Sequence, residues 1–448
     1  MRHPIKPRPA FQHQHLSWFL LFVGVVGLFR CGGESPDTRC AEMACPSGTL
    51  CDANTGGCVP VKAQPVALGN AGLWTSAVLQ SNGDLLVAAQ DQDSGSLVLQ
   101  TYSGVDLKGT TPVDGRQSGK QWLRVGQYPE MVLGTDNQLR IAHYDQTNGT
   151  LRLSVGLGGA WSHQTIDDGG LAALDVGRWV SLAIDGKNGL HFSYRDETTK
   201  RLLVQSMASN GCGVRGPDDE VNAFVVPAPD GRAVSNENYG LWSSIGIAGD
   251  GTLVMSYYDS ARGNLVLASC LDDIVNQQVL DGEDLLDGVD TGDVGQWSSL
   301  AIDPDGSAGI AYFDRSRGVL KYARSVQGVL QLEVVDDGHY FSNGIQERHR
   351  VGQHAHLEFN ASSQPRIAYM DATKRAVMLA RRTAFGEWQK QTIDTVSASV
   401  TVGGVGSGLD MVLDNDDTAY LSYGRWLADD GMDWNITIQV NHTERERL

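Results

Sequence analysis

The sequence is short of positive charge: 35 Lys and Arg stand against 53 Asp and Glu, a formal net charge of −18. Four of those basic residues, Arg2, Lys6, Arg8 and Arg30, fall in the first thirty positions, where there is no acid. The remainder repels phosphate backbones, which argues against nucleic-acid binding and for a solvated acidic exterior. Beyond Phe29 long apolar runs are missing too. Apolar residues come in short runs punctuated by a large share of the 53 glycines, the signature of an all-β chain with many turns rather than a helical one. With 448 residues the chain has room for two or three average domains, or for one all-β toroid.

What is present at the front reads as an address. The basic, polar "MRHPIKPRPAFQHQH" precedes the apolar "LSWFLLFVGVVGLF" (Leu16–Phe29), the order of a secretory signal over residues 1–30. The apolar stretch is too short to span a bilayer comfortably, so a retained anchor is the weaker reading. A Cys follows directly in "LFRCGG", and this resembles a bacterial lipoprotein lipobox, in which that Cys becomes the lipidated first residue. Arg30 stands where such motifs carry a small residue. The seven cysteines agree with the reading: lipidation of Cys31 leaves Cys40, Cys45, Cys51, Cys58, Cys212 and Cys270 to pair.

Residues 31–60 form a Cys-rich stalk. "CAEMACPSGTLCDANTGGC" has no apolar periodicity and folds only if disulfides hold it, with Cys40–Cys51 and Cys45–Cys58 the favoured one of three pairings. The pattern resembles stalks that follow the lipid anchor in lipoproteins of myxobacteria and their relatives, and part of an EGF-like knot. Its simplest role is a spacer.

The remainder, 61–448, repeats. Related starts occur at Gly72 ("GLWTSAVLQ"), Gly126 ("GQYPEMVLG"), Gly177 ("GRWVSLAID"), Gly240 ("GLWSSIGIA"), Gly295 ("GQWSSLAID"), Gly352 ("GQHAHLEFN") and Gly406 ("GSGLDMVLD"), about 55 residues apart. Each is followed by a turn, a second apolar run such as "LHFSYRD", another turn and a third run; several add a fourth, as in "LQLEVVD". Short runs rich in Val, Ile, Leu and Tyr, bounded by Gly, Asp or Asn, are strands joined by hairpins. Four strands per repeat and seven repeats predict a seven-bladed β-propeller. The seventh repeat ends after its third strand, so "VKAQPVAL" (Val61–Leu68) is expected to complete that blade and close the ring. Cys212 and Cys270 fall in adjacent blades and are expected to pair. The segment between them, "GPDDEVNAFVVPAPDGRAVSNEN", departs furthest from the repeat and reads as a surface loop.

Two features recur with the repeat. The first is the aromatic of the start motif: Trp74, Tyr128, Trp179, Trp242, Trp297 and His354, broken by Gly408. On innermost strands these residues would ring one rim of the channel, where they either fill the wedge between blades or stack on the C–H faces of a sugar. The second is an Asp closing the second strand: Asp91, Asp145, Asp196, Asp259, Asp314 and Asp371. Six equivalent copies indicate structural Asx turns rather than catalytic carboxylates. His349, His354 and His356 cluster in "ERHRVGQHAH", but a solvated rim is the simpler reading than a metal site, and no metal is assigned. Calcium at "DPDG" (Asp303) or "DNDD" (Asp414) competes with the ordinary role of Asp in hairpin turns, and no cofactor is assigned.

The repeat "GxWxSLAID…G…SYxDxxxGxLxxA" resembles exported bacterial propellers and, more distantly, sialidase-like and lectin propellers, over roughly Val61 to the C-terminus. It carries no sialidase Asp box, arginine triad or Tyr–Glu pair, so the resemblance implies the fold and transfers no catalytic residue. The expected function is that of a lipid-anchored binding protein of the cell envelope, monomeric, with a glycan or an envelope protein as ligand. The alternatives are a hydrolase with a channel site, for which Asp218, Asp219 and Glu220 are the candidate stretch, and an envelope scaffold without a small ligand.

Overall fold

The computed structural model describes residues 49–52, 57–60, 71–115, 123–208, 211–213, 223–228, 237–282, 292–326, 329–342, 344–396, 403–427 and 434–441. The chain divides into two compact units, Met1–Lys62 and Ala63–Leu448. In the first, Thr49–Asp52 pairs with Gly57–Pro60 as an antiparallel hairpin that sets Cys51 opposite Cys58. The pairings expected among the stalk cysteines, and lipidation at Cys31, lie outside the described residues. Among the described residues no helix is long and apolar enough to cross a membrane.

The second unit is a seven-bladed β-propeller of antiparallel sheets, each built in chain order from an inner strand outwards. The inner strands are Ala71–Leu79, Val125–Leu133, Val176–Ile184, Tyr239–Ile247, Val294–Ile302, Val351–Phe359 and Gly403–Leu413, which define blades 1 to 7. Blades 1 to 6 have four strands; blade 7 shows three among the described residues, ending with Trp434–Asn441. The strand expected from Val61–Leu68 to complete it lies outside them. Ring closure is nonetheless visible: Thr75 Oγ1 of blade 1 donates to Gly408 O of blade 7 at 2.7 Å, and Ala77 N–H donates to Asp410 Oδ2 at 2.5 Å.

Burial follows the radial order. The second strands Leu139–Asp145, Leu190–Asp196 and Leu253–Asp259 are buried at every residue, because a blade's middle is covered on both faces by its neighbours. Outer strands such as Ile274–Asp281 alternate towards solvent. The start-motif glycines act at the blade-to-blade contact. At Gly177 (φ 103°) and Gly295 (φ 103°), a Cβ would lie 2.8 Å from the Cα of Leu151 and of Leu265, each on the third strand of the preceding blade. Only glycine permits that approach in that conformation.

A second contact joins the outer strands to the next blade. Tyr194, Tyr312, Tyr369 and Tyr423, on second strands, donate to Asp167, Asp281, Asp336 and Asp394, which lie near the ends of the preceding blades' outer strands, at 2.6 to 2.8 Å. In blade 2 the equivalent residue is His143, whose Nε2 lies 3.6 Å from Asp114, and Arg152 completes the pair at 2.8 Å.

Blade 3 departs from the repeat. Its outer strand is only Phe224–Val225, paired with Leu203–Val204. Part of the segment read from sequence as a surface loop is therefore framework: Val226 is fully buried and its carbonyl accepts from Tyr239 OH at 2.8 Å. The Cys212–Cys270 disulfide forms as expected and ties the end of blade 3 to the third strand of blade 4.

Candidate functional site

The start motif places its aromatic residue in an unusual backbone state. Tyr128, Trp179, Trp242, Trp297 and His354 all have φ between 50° and 53°, in the left-handed region, and Gly408 shares it at 54°. Such conformations cost about 1–3 kcal/mol each for a bulky residue and persist where surroundings impose them. Here each coincides with a bulge against the second strand, for example between Arg178 and Ser181. The carbonyls turned out of the ladder are recaptured by the next blade: Ser243 Oγ donates to Trp179 O at 2.9 Å, and Ser298 Oγ to Trp242 O at 2.7 Å. Trp74 alone keeps negative φ.

The result is a girdle in which consecutive aromatics lean on one another around the axis. Ring centroids are 4.5 Å apart for Trp74–Tyr128 and Tyr128–Trp179, 5.4 Å for Trp179–Trp242, 5.0 Å for Trp242–Trp297 and 5.3 Å for Trp297–His354. The sequence motif thus brings all six together. They pack against each other and also line an axial cavity of about 330 Å³. Gly408 interrupts the girdle because a Cβ there would lie 2.4 Å from Trp74 Cα.

Two residues further along each inner strand runs a polar belt: Ser76, Glu130, Ser181, Ser244, Ser299, His356 and Asp410. Most of it is structural. Ser76, Ser181, Ser244 and Ser299 accept from the N–H of Met131, Ile245, Leu300 and Leu357 in the following blade, at 2.9 to 3.2 Å. Asp410 plays that part for Ala77. This bond explains the serine that recurs in "GRWVSLAID" and "GQWSSLAID".

Glu130 and His356 break the pattern. His356 Nδ1 faces Asp410 Oδ1 at 2.9 Å, and its Nε2 lies 3.5 Å from Glu358. Burial opposes charge on this imidazole, but the two carboxylates outweigh it and raise its pKa well above the usual value. The Glu130 carboxyl makes no hydrogen bond or ion pair among the described residues. Burial, reinforced by the Asp410 charge and partly offset by His356, pushes it up to about 8. His354, half-buried in the girdle without a charged partner, is pushed down to about 4 by desolvation and is neutral at pH 7. Trp242 Nε1 is buried in the same wall without a hydrogen-bond partner among the described residues.

Other residues singled out from sequence sit elsewhere. His349 is held between Asp371 (2.6 Å) and Glu347 (3.2 Å), apart from His354 and His356. The six strand-closing Asp residues cap turns: Asp145 accepts from the N–H of Thr147 and Asn148, Asp196 from Thr198 and Thr199, and Asp91, Asp259, Asp314 and Asp371 each from at least one further backbone N–H. Asp303 and Asp414 accept backbone N–H groups in their hairpin turns in the same way. Among the described residues no group of three or more His, Cys, Asp or Glu is placed to hold a metal ion. Asp218, Asp219 and Glu220 lie outside the described residues. Sequence reasoning missed Glu130 and Asp410, although aligning the seven starts puts three ionisable residues in a column otherwise filled by serine.

No family model matches the chain, and no curated protein does either. Solved structures do. A prolyl endopeptidase structure aligns over 84% of this chain and 51% of its own, about half that chain's length, with 12% identity and a TM-score of 0.47. The Swd1 β-propeller domain of Myceliophteria thermophila aligns over 85% and 99%, with 10% identity and a TM-score of 0.46. The polysaccharide lyase Uly1 aligns over 92% and 96%, with 9% identity and a TM-score of 0.44. At such identities no activity is carried over from any of them.

Proposed function

We propose that the chain is an exported binding protein of the cell envelope, anchored through Cys31, that receives part of a saccharide in its axial cavity. One observation carries the reading: a cavity of about 330 Å³ is walled by six aromatic residues on one level and by hydroxyl and ionisable groups on the next. That volume lies at the lower end of the ~300–1,000 Å³ of small-molecule sites, which combine apolar walls with a few convergent polar groups. Aromatic faces suit sugar C–H faces, the partnerless Trp242 Nε1 supplies a donor, and the Glu130 carboxyl in the same wall supplies a hydrogen-bonding acid. The test is a glycan array probed with residues 61–448 produced through an oxidising export route, beside Trp242→Phe, which keeps a ring in the girdle and deletes its N–H. Specific binding weakened in the variant at unchanged circular dichroism supports the proposal; binding indifferent to Trp242 moves the site out of the cavity.

A second reading, a hydrolase with its site in the channel, is favoured by one observation. Glu130 and Asp410 break the serine belt and sit in unlike environments, as acid and base partners must. Release of new reducing ends from a bound oligosaccharide, lost in Glu130→Gln, distinguishes turnover from binding.

A further inference from the structure

The charge inside the cavity narrows what it accepts. No Lys or Arg lines it among the described residues. Its wall presents Glu130 and Glu358, and the cation among its described residues, His356, is matched by Asp410 at 2.9 Å. An anionic group entering here meets two carboxyl side chains and an imidazolium whose charge is already spoken for. Uronates, sialic acids and sulfated sugars are therefore poorly served. A neutral hydroxyl hydrogen-bonds the Glu130 acid but offers it no charge-assisted bond.

An ammonium group resolves both mismatches. It gives Glu130 a charged donor, and the girdle above attracts a cation through the electron-rich ring faces of its Trp and Tyr residues. His354, the girdle's imidazole, does not oppose it, since burial keeps that ring neutral at pH 7. We infer that the axial cavity selects saccharides carrying a free amine, with the ammonium paired to the Glu130 carboxylate beneath the aromatic girdle. The inference rests on the saccharide reading and sharpens it to amino sugars that are not N-acylated.

Binding then has a proton signature. At pH 6 Glu130 is protonated, and the groups around it, His356, Asp410 and Glu358, keep their own pairing. An amino sugar that is already an ammonium at that pH displaces the Glu130 proton to solvent on entering, so close to one proton is released per site.

The experiment is isothermal titration of residues 61–448 at pH 6 in two buffers of different ionisation enthalpy. The probes are chitosan oligosaccharides, their fully N-acetylated chitin counterparts and cello-oligosaccharides of equal length. The expected result is tighter binding of the free amine than of either neutral probe, the charge-assisted bond outweighing the displacement of the Glu130 proton, with about one proton released. Glu130→Gln should remove both the preference and the proton release, in a variant that still unfolds cooperatively and is no less stable than the wild type at pH 6. Equal binding of all three probes without proton release overturns the amine inference and leaves the saccharide reading standing. Absence of binding to any probe overturns both. An amine preference that survives Glu130→Gln overturns the role given to that carboxyl.

Discussion

Replacing Glu130 by Gln should change how stability depends on pH, and the structure fixes sign and size. The folded protein holds the Glu130 proton up to about pH 8, whereas the unfolded chain releases it near the ordinary value of 4.5. Between those values folding retains a proton that unfolding sets free, so stability falls as pH rises and the loss is complete above about 8. A separation of this size corresponds to roughly 3–5 kcal/mol between pH 5 and pH 9. Glutamine has the same shape and no proton to lose, so the variant should be spared that loss. The assay is urea unfolding followed by tryptophan fluorescence, for both proteins, at unit steps of pH. The wild-type midpoint should fall relative to the variant steadily up to pH 8 and then run parallel. Curves parallel throughout would mean that Glu130 ionises freely, and that the cavity is wetter and less enclosed than described.

Three other perturbations probe separate parts of the ring. His354 is held down to about 4, so the unfolded state takes up a proton there below about 6.5, and this contribution to stability drops between pH 6.5 and 4, against the Glu130 trend; relative to His354→Tyr, the residue of blade 2, the wild type should lose stability over that window in a thermal-melt series, and parallel curves would clear His354. Tyr194→Phe removes the 2.6 Å bond to Asp167 and should cost about 2 kcal/mol by denaturant unfolding, as expected for a hydrogen bond to a buried carboxylate. A cost near zero would show that the outer-strand locks do not hold blades together. Cys212→Ser with Cys270→Ser opens a crosslink between residues 58 apart, for an expected loss of about 4 kcal/mol that reductant should reproduce in the wild type.

What the sequence could and could not show follows from the range of each interaction. Strands, turns and the Asp caps are local: Asp196 meets its partners within three residues, so its spacing is visible on the page. The start glycines and aromatics recur because every blade meets its neighbour in the same way, and a repeated contact leaves a repeated letter. Whether the aromatics fill wedges or face a ligand was open, since the left-handed backbone that turns them onto one another has no signature beyond the motif itself. Blade 3's outer strand escaped notice because two residues carry no periodicity. The nearness of Glu130 to the His356–Asp410 couple was further out of reach. It exists only after the ring closes and brings blades 2, 6 and 7 to one axis, and no local pattern encodes a meeting between residues 280 positions apart.

Occupancy of the axial cavity is tested most directly by fluorine NMR of residues 61–448 labelled with 5-fluorotryptophan, with resonances assigned by single Trp→Phe substitutions. Titration with the strongest binder from the glycan array should shift Trp74, Trp179, Trp242 and Trp297, which ring the cavity, and leave Trp161 and Trp388 on the outer strands unmoved. Shifts confined to the outer tryptophans, with the girdle silent at saturation, would contradict a ligand in the channel.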